Sequence, residues 1–246
     1  MAVLEVSNLA KAYDGVQALR GVSFAVGAGE LVAMIGPNGA GKTTCFNIVN
    51  GQLLPDAGEV SLGGTSLVGM PPRAVWRLGV GRTFQVAATF GSMSVRENVQ
   101  MALLSRDRLL SSFFLPAENL FIEEANGLLG RVGMAQQAAR PCAELAYGDL
   151  KRLELAIALA NRPRLLLMDE PTAGTAPEER DALMGLASSL ARSEQIAVLF
   201  TEHDMEAVFG FADRVLVLHG GELIATGAPG EVRDDPRVRE VYLGAA

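Results

Sequence analysis

The sequence predicts an α/β protein whose strand-and-helix core is interrupted by a helical insert. Short apolar runs bounded by turn residues alternate with helical patterns toward both ends of the chain. A glycine-rich turn joins one of these runs directly to a helix, and between about Met93 and Leu159 the apolar spacing changes to three or four residues. In order, Ala2 to Val6, Val22 to Val26 and Leu31 to Ile35 read as strands, followed by the turn and a helix from about Lys42 to Val49. Glu59 to Leu62 and Val80 to Phe84 are further strands. The middle is helical, with Val95, Val99 and Leu103 and then Leu150, Leu153 and Ile157 on helical faces. After Arg164 the alternation returns: strand Leu165 to Asp169, helix Pro177 to Ala191, strand Ile196 to Phe200, helix Met205 to Phe211 and strand Val215 to Leu218.

A chain of 246 residues can bury a sizeable core without disulfides or metal. Its 49% hydrophobic and 20% charged residues exclude a disordered tail, a collagen-like repeat and a coiled coil. A formal charge of −7 argues against a broad nucleic-acid face, which needs a basic stripe, so no nucleic-acid partner is expected. No run approaches the ~18–20 apolar residues of a membrane-spanning helix. Met-Ala-Val-Leu-Glu-Val at the start has neither the basic residues nor the apolar core of an export signal. Cys45 and Cys142 form no ligand pair or disulfide framework. The expectation is a cytoplasmic protein that reaches a membrane only through a partner.

Gly36-Pro37-Asn38-Gly39-Ala40-Gly41-Lys42-Thr43 fits G-x-x-x-x-G-K-[ST] and stands between an apolar strand and a helix, where a phosphate-binding loop must stand. Glycines let successive backbone N–H groups turn inward toward phosphate oxygens, and the helix N-terminus adds its positive end. Lys42 brings a point charge to the β and γ phosphates; Thr43, with Thr44 behind it, offers a hydroxyl to Mg²⁺. Chance would supply this pattern about 0.003 times in a chain of this composition. Leu165 to Glu170 is an apolar run ending in two carboxylates, the form of a buried strand presenting acids at its C-terminal edge, where open α/β sheets bind ligands. Asp169 would hold Mg²⁺ and Glu170 would orient and deprotonate the attacking water. Taken alone, an Asp-Glu pair after a strand could also be a helix N-terminus.

These two motifs fix a chemistry, and the residues around them point to a family. Leu145-Ala146-Tyr147-Gly148-Asp149, opening a helical stretch to Leu159 shortly ahead of Asp169, resembles the LSGGQ signature of ABC ATPases. Gln85 after Arg82-Thr83-Phe84 looks like their Q-loop, and His203 in Phe200-Thr201-Glu202-His203-Asp204 looks like their switch histidine. Tyr13 in Lys11-Ala12-Tyr13-Asp14 stands where that family places an aromatic under adenine. Read singly, Tyr13 could be a strand-edge aromatic and Gln85 a solvated glutamine; His219, at a Gly-Gly turn, reads as structural.

The resemblance covers essentially the whole chain. It implies a single domain over 1–246: a P-loop NTPase core of the RecA-like, ABC ATPase type (1–87 and 160–246), with an antiparallel β subdomain and an α-helical subdomain inserted at about 88–159. It also implies ATP and Mg²⁺ as cofactors, with Thr43, Gln85 and Asp169 around the metal and Glu170 and His203 as the catalytic pair. Leu145, Ala146, Tyr147 and Gly148 would serve the nucleotide of a second ABC ATPase subunit, making the working unit a dimer.

Leu145-Ala146-Tyr147-Gly148, Glu170-Pro171-Thr172-Ala173-Gly174, Glu202-His203-Asp204-Met205 and the tail Arg237 to Gly244 are similar to the ATP-binding subunits of branched-chain amino acid importers. Such subunits sit on the inner face of the membrane beneath permease subunits fed by a periplasmic binding protein; urea and short-amide importers carry related ATPases. A soluble ABC ATPase working on ribosomes, DNA or iron–sulfur assembly is the alternative class; the ribosomal version would be expected to carry two cassettes in one chain, and the DNA-repair version a long coiled coil between Gln85 and Leu145. A degenerate sensor would be expected to lack Lys42, Glu170 or His203. Three positions depart from the family pattern. Ala146 replaces the signature serine, Ala176 the aspartate of the loop after the catalytic Glu, and Asp149 the usual glutamine. Asp149 would repel nucleotide if it pointed inward, and is expected to point out. Ser112-Phe113-Phe114-Leu115-Pro116 with Phe121 could line a permease groove or fill the insert's own core.

Overall fold

Residues 2–84, 89–109 and 119–243 are described by the computed structural model. The strands Ala2–Tyr13 (β1) and Val16–Gly27 (β2) form a hairpin across the two-residue turn Asp14-Gly15. Both turn residues have positive φ, 46° and 85°, the conformation whose twist suits a tight antiparallel hairpin. Leu31–Ile35 (β3) runs into the glycine turn and helix α1 (Lys42–Val49). Ala57–Leu62 (β4) and Thr65–Ser66 (β5) complete an antiparallel sheet in the order β2-β1-β4-β5. After α2 (Pro72–Arg77) and β6 (Val80–Thr83) the chain enters the insert, whose helices are α3 (Val95–Arg106), α4 (Ile122–Arg131) and α5 (Tyr147–Leu159). The core resumes with β7 (Leu165–Asp169), α6 (Pro177–Glu194), β8 (Ala197–Thr201), α7 (Met205–Phe211), β9 (Arg214–His219) and β10 (Glu222–Gly227), and ends on α8 (Pro229–Asp234) and α9 (Pro236–Leu243).

The second sheet has the order β10-β9-β3-β8-β7-β6, parallel throughout except for the β9–β10 hairpin. Its central strands are apolar along their interior because both faces are covered, with polar residues such as Asp169 and Thr201 only at the strand ends. Strand alternation then divides the core in two. Ala33, Ile35, Met168 and Phe200 face one cluster, which takes in Val99, Leu103, Leu129 and Leu153 of the insert and Met184 of α6. Their neighbours Val32, Met34, Leu167 and Leu199 face the other, shared with Leu4 and Val22 of the antiparallel sheet and Phe46 of α1.

The insert is fastened by polar bonds as well as apolar packing. Ser94 and Glu97 form a reciprocal cap that starts α3. Arg106 at its end donates to both carboxylate oxygens of Glu124 on α4 at 2.6 and 3.0 Å and to the Ala160 carbonyl beyond α5 at 3.2 Å. Lys151 of α5 donates to the Phe84 carbonyl at 2.8 Å, tying the insert to the end of β6. Phe121 packs against the first cluster with the Arg106 guanidinium over its ring at 5.7 Å, so this ring belongs to the insert's own packing. Ser112 to Pro116 lie outside the described residues. Among the described residues no helix is long and apolar enough to cross a membrane.

The strands β1, β2 and β10 are longer than the sequence pattern predicts or absent from it. Their outward faces carry polar residues such as Ser7, Lys11 and Glu222, which hide the alternation. The short α2, α8 and α9 and the two-residue β5 also go unpredicted, since each is too brief to show a period.

Candidate active site

Parallel order brings the C-terminal ends of β3, β7 and β8 to one edge, and Lys42, Glu170 and His203 come together there. Gly41 precedes α1 with φ 108°; a Cβ there would lie 2.5 Å from the Ala18 carbonyl oxygen, so only glycine lets the loop pass β2. The first turn of α1 has neither a capping side chain nor an acidic residue, leaving its N–H groups to a ligand. Lys42 is buried, and its Nζ donates to the carbonyls of Gly36 at 2.6 Å and Pro37 at 3.3 Å. Burial holds its pKa below the ordinary lysine value, against the opposing pull of the Glu170 and Asp169 carboxylates.

A cleft of about 320 Å³ opens over this loop, within the range of small-molecule sites. It is lined by Asn38, Gly39, Ala40, Gly41, Lys42, Thr43 and Thr44 of the loop and helix start, together with Tyr13, Ala18, Glu170 and His203. Tyr13, at the end of β1, is 45% exposed, with the Lys11 ammonium over its ring at 5.8 Å from the centroid. Gly36 and Pro37 supply the acceptors of Lys42. Gln85 lies outside the described residues.

Asp169, which ends β7 and does not line the cleft, has both oxygens engaged: Oδ1 accepts from Thr201 Oγ1 at 2.8 Å and Oδ2 from Arg82 at 3.2 Å. Arg82 also donates to Asn47 at 2.9 Å and Gln52 at 2.8 Å, bracing β7 against α1 and the turn after it. Glu170 adopts φ 47°, an uncommon conformation for a glutamate, and its N–H donates to the Thr201 carbonyl at 3.1 Å. Its Oε1 lies 3.1 Å from His203 Nε2. A carboxylate and an imidazole in hydrogen-bond reach at the mouth of a phosphate-binding loop can hold a water and take its proton. Arg82, Thr172, Thr201 and Glu202 escape the sequence reading. For Thr201 alone a local signal exists, since it directly follows the apolar run that ends at Phe200 and pairs beside Asp169 of β7.

Leu145, Ala146, Tyr147 and Gly148 are not brought into this cleft. Leu145 is buried, and Ala146 to Gly148 begin α5 next to α6 and the Gly174 turn. Asp149 accepts from Gln137 Nε2 at 2.8 Å, so its carboxylate is turned to a neighbour within the insert. Ala146 and Ala176 are the N-caps of α5 and α6, each with extended backbone and no capping side chain. Ala146→Ser is expected to stabilise the fold by about 1 kcal/mol, raising the melting temperature by roughly 2–4 °C, because serine supplies the missing cap acceptor. Thermal unfolding of the purified variant checks this, and an unchanged or lower midpoint refutes it.

The ABC transporter family model matches residues 19–173. The chain belongs to the ABC transporter family. A second model, of the branched-chain amino acid ATP-binding cassette transporters, matches residues 222–246 of this ABC ATPase. The chain is 39% identical to the high-affinity branched-chain amino acid transport ATP-binding protein BraF of Pseudomonas aeruginosa, with 99% of this chain and 98% of that one covered. It is 37% identical to LivG of Escherichia coli, a protein of the same description, at the same coverage. The ADP conformation of MJ1267, an ATP-binding cassette of an ABC transporter, superposes over 100% of both chains with a TM-score of 0.90 at 30% identity. A dimeric bacterial cassette, MJ0796, shares the fold at a TM-score of 0.77 and 24% identity. The P-loop ABC ATPase fold expected from the sequence is the observed one, and the chain is an ATP-hydrolysing cassette of this family.

Proposed function

We propose that the chain is the ATPase subunit that energises a membrane importer of branched-chain amino acids, working as a dimer with a second ABC ATPase. The observation that carries the chemistry is the 3.1 Å approach of His203 to Glu170 over the loop that holds Lys42. In this reading Tyr13 stacks on the base, the N–H groups from Asn38 to Thr44 and the Lys42 ammonium bind the phosphates, and Glu170 accepts the proton of the attacking water. The water oxygen bonds to the γ-phosphorus as the bond to the ADP oxygen breaks, and His203 keeps the water and Glu170 in line.

The donors also fit Mg²⁺, since Thr43 and Asp169 supply hard oxygen ligands and Gln85 is the third candidate. Bound there, the ion would offset charge on the β and γ phosphates. Arg82 and Thr201 fix the Asp169 carboxylate toward that edge.

Leu145 to Gly148 lie away from the chain's own cleft, which supports their serving the partner's nucleotide. The core 1–87 and 160–246 then does the chemistry, and the insert at about 88–159 couples it to permease subunits. Through these permeases the chain sits on the inner face of the membrane, a periplasmic binding protein contributing indirectly from the far side. The relatives described above support the cargo. Co-purification with its permeases from native membranes, followed by uptake in vesicles, tests the reading: leucine uptake driven by ATP is expected, and uptake of urea or short amides instead overturns the cargo.

His203→Ala is expected to lower turnover by about one to two decades with ATP affinity within about twofold of wild type, because the imidazole aligns groups without holding the ground state. Steady-state kinetics with nucleotide titration checks it. A large loss of affinity with normal turnover at saturation would move His203 to binding.

A further inference from the structure

We propose that Glu202 is a positioning residue for turnover, locking the loop that carries Glu170 to the loop that carries His203 so that the two act as one piece. The inference rests on the assignment of Glu170 and His203 made above. Glu202 is a carboxylate only 3% exposed, in the middle of the site's edge, and no step of the chemistry uses it. An acid survives such burial only where donors surround it. Here its Oε1 accepts from the Thr172 N–H at 2.8 Å and the Thr172 hydroxyl at 2.7 Å, and its Oε2 accepts from the His203 N–H at 3.2 Å. One carboxylate therefore joins the segment two residues beyond the proposed base to the backbone of the proposed switch residue.

The neighbouring bonds show why this link matters. Thr201 ties the ends of β7 and β8 through Asp169 and the Glu170 N–H. Beyond Thr201 the strand pairing stops, and Glu202 continues the connection by side chain. On the far flank Asp204 caps α7 and accepts from Arg180 at 2.5 Å, fixing the residue after His203 to α6. The His203 side chain, 50% exposed, is thus aimed by its backbone, and that backbone is held on both sides. A cavity of about 280 Å³ lies beside Thr172, Glu202 and Asp204, leaving space into which an unlocked loop could shift.

The experiment compares Glu202→Gln, Thr172→Val and Thr172→Ser in the purified chain, with Glu202→Gln also made in the His203→Ala background. A glutamine side chain at this position can accept on one side only and sets its amide donor against a second N–H or O–H. Turnover of Glu202→Gln at saturating ATP is expected to fall about tenfold, with KM and ATP affinity within about twofold. Thr172→Val should lose about threefold, since it keeps the backbone bond, and Thr172→Ser should restore the wild-type rate. In the His203→Ala background Glu202→Gln should cost nothing further, because Glu202 acts through His203.

A wild-type rate for Glu202→Gln, a loss expressed in ATP affinity, or an equal loss in the His203→Ala background overturns the proposal. His203→Ala at the wild-type rate overturns the catalytic pair itself and this inference with it. If circular dichroism shows Glu202→Gln unfolded, the valine and serine variants decide alone: equal rates for both refute the lock.

Discussion

Lys42→Ala is expected to raise the dissociation constant for ATP by about two decades or more. In the structure the ammonium is folded back onto the carbonyls of Gly36 and Pro37, in the lining of the cleft and next to the helix terminus. Phosphate oxygens entering the loop would replace those neutral acceptors with charged ones. Each charge-assisted hydrogen bond is worth about 1.5–3 kcal/mol, so losing two gives the expected range. Alanine is a strong helix former at the first position of α1, so the fold should persist, and the effect should appear in binding alone. Calorimetric titration with ATP checks this. An affinity within threefold of wild type would remove Lys42 from phosphate binding.

Glu170→Gln is expected to leave nucleotide affinity intact and reduce hydrolysis by about two to four decades, the usual contribution of a positioned general base. Glutamine has the same shape, still presents an oxygen or an amide proton to His203, and needs the same backbone conformation. What it lacks is a lone pair basic enough to take a proton from water. Single-turnover hydrolysis beside a binding titration separates the two effects. Equal turnover in wild type and variant would exclude Glu170 as the base.

The centre of this fold is legible in the sequence because its signals are local. Leu31 to Ile35 and Lys42 to Val49 have the bounds the sequence predicts: the strand is apolar at every position, and the loop motif dictates where the helix begins. The β1–β2 hairpin is less visible, although Asp14-Gly15 is a strong turn signal, because Ser7, Asn8 and Lys11 break the apolar alternation of β1. At the site, Lys42, Glu170 and His203 can be read because each residue type follows closely on an apolar strand. The apolar pattern before His203 ends at Phe200, whereas the strand runs one residue further, which sets Thr201 beside Asp169. Arg82 and Glu202 are out of reach for a different reason. Their partners lie 87 and 30 positions away, on segments whose approach is decided by the whole sheet order. Spacing along one segment carries no trace of such pairings.

The backbone at Glu170 has a consequence for anyone hardening this chain against heat. At φ 47° the residue occupies a region where glycine rests freely and asparagine or aspartate rest at lower cost than glutamate. Each of those replacements would relax the main chain, and each would delete or shorten the carboxylate that reaches His203. Comfort and chemistry therefore make opposite demands at one position. Stabilising changes should be sought elsewhere, for instance at the uncapped helix starts, while the strain at Glu170 is retained for as long as the chain is asked to turn over ATP.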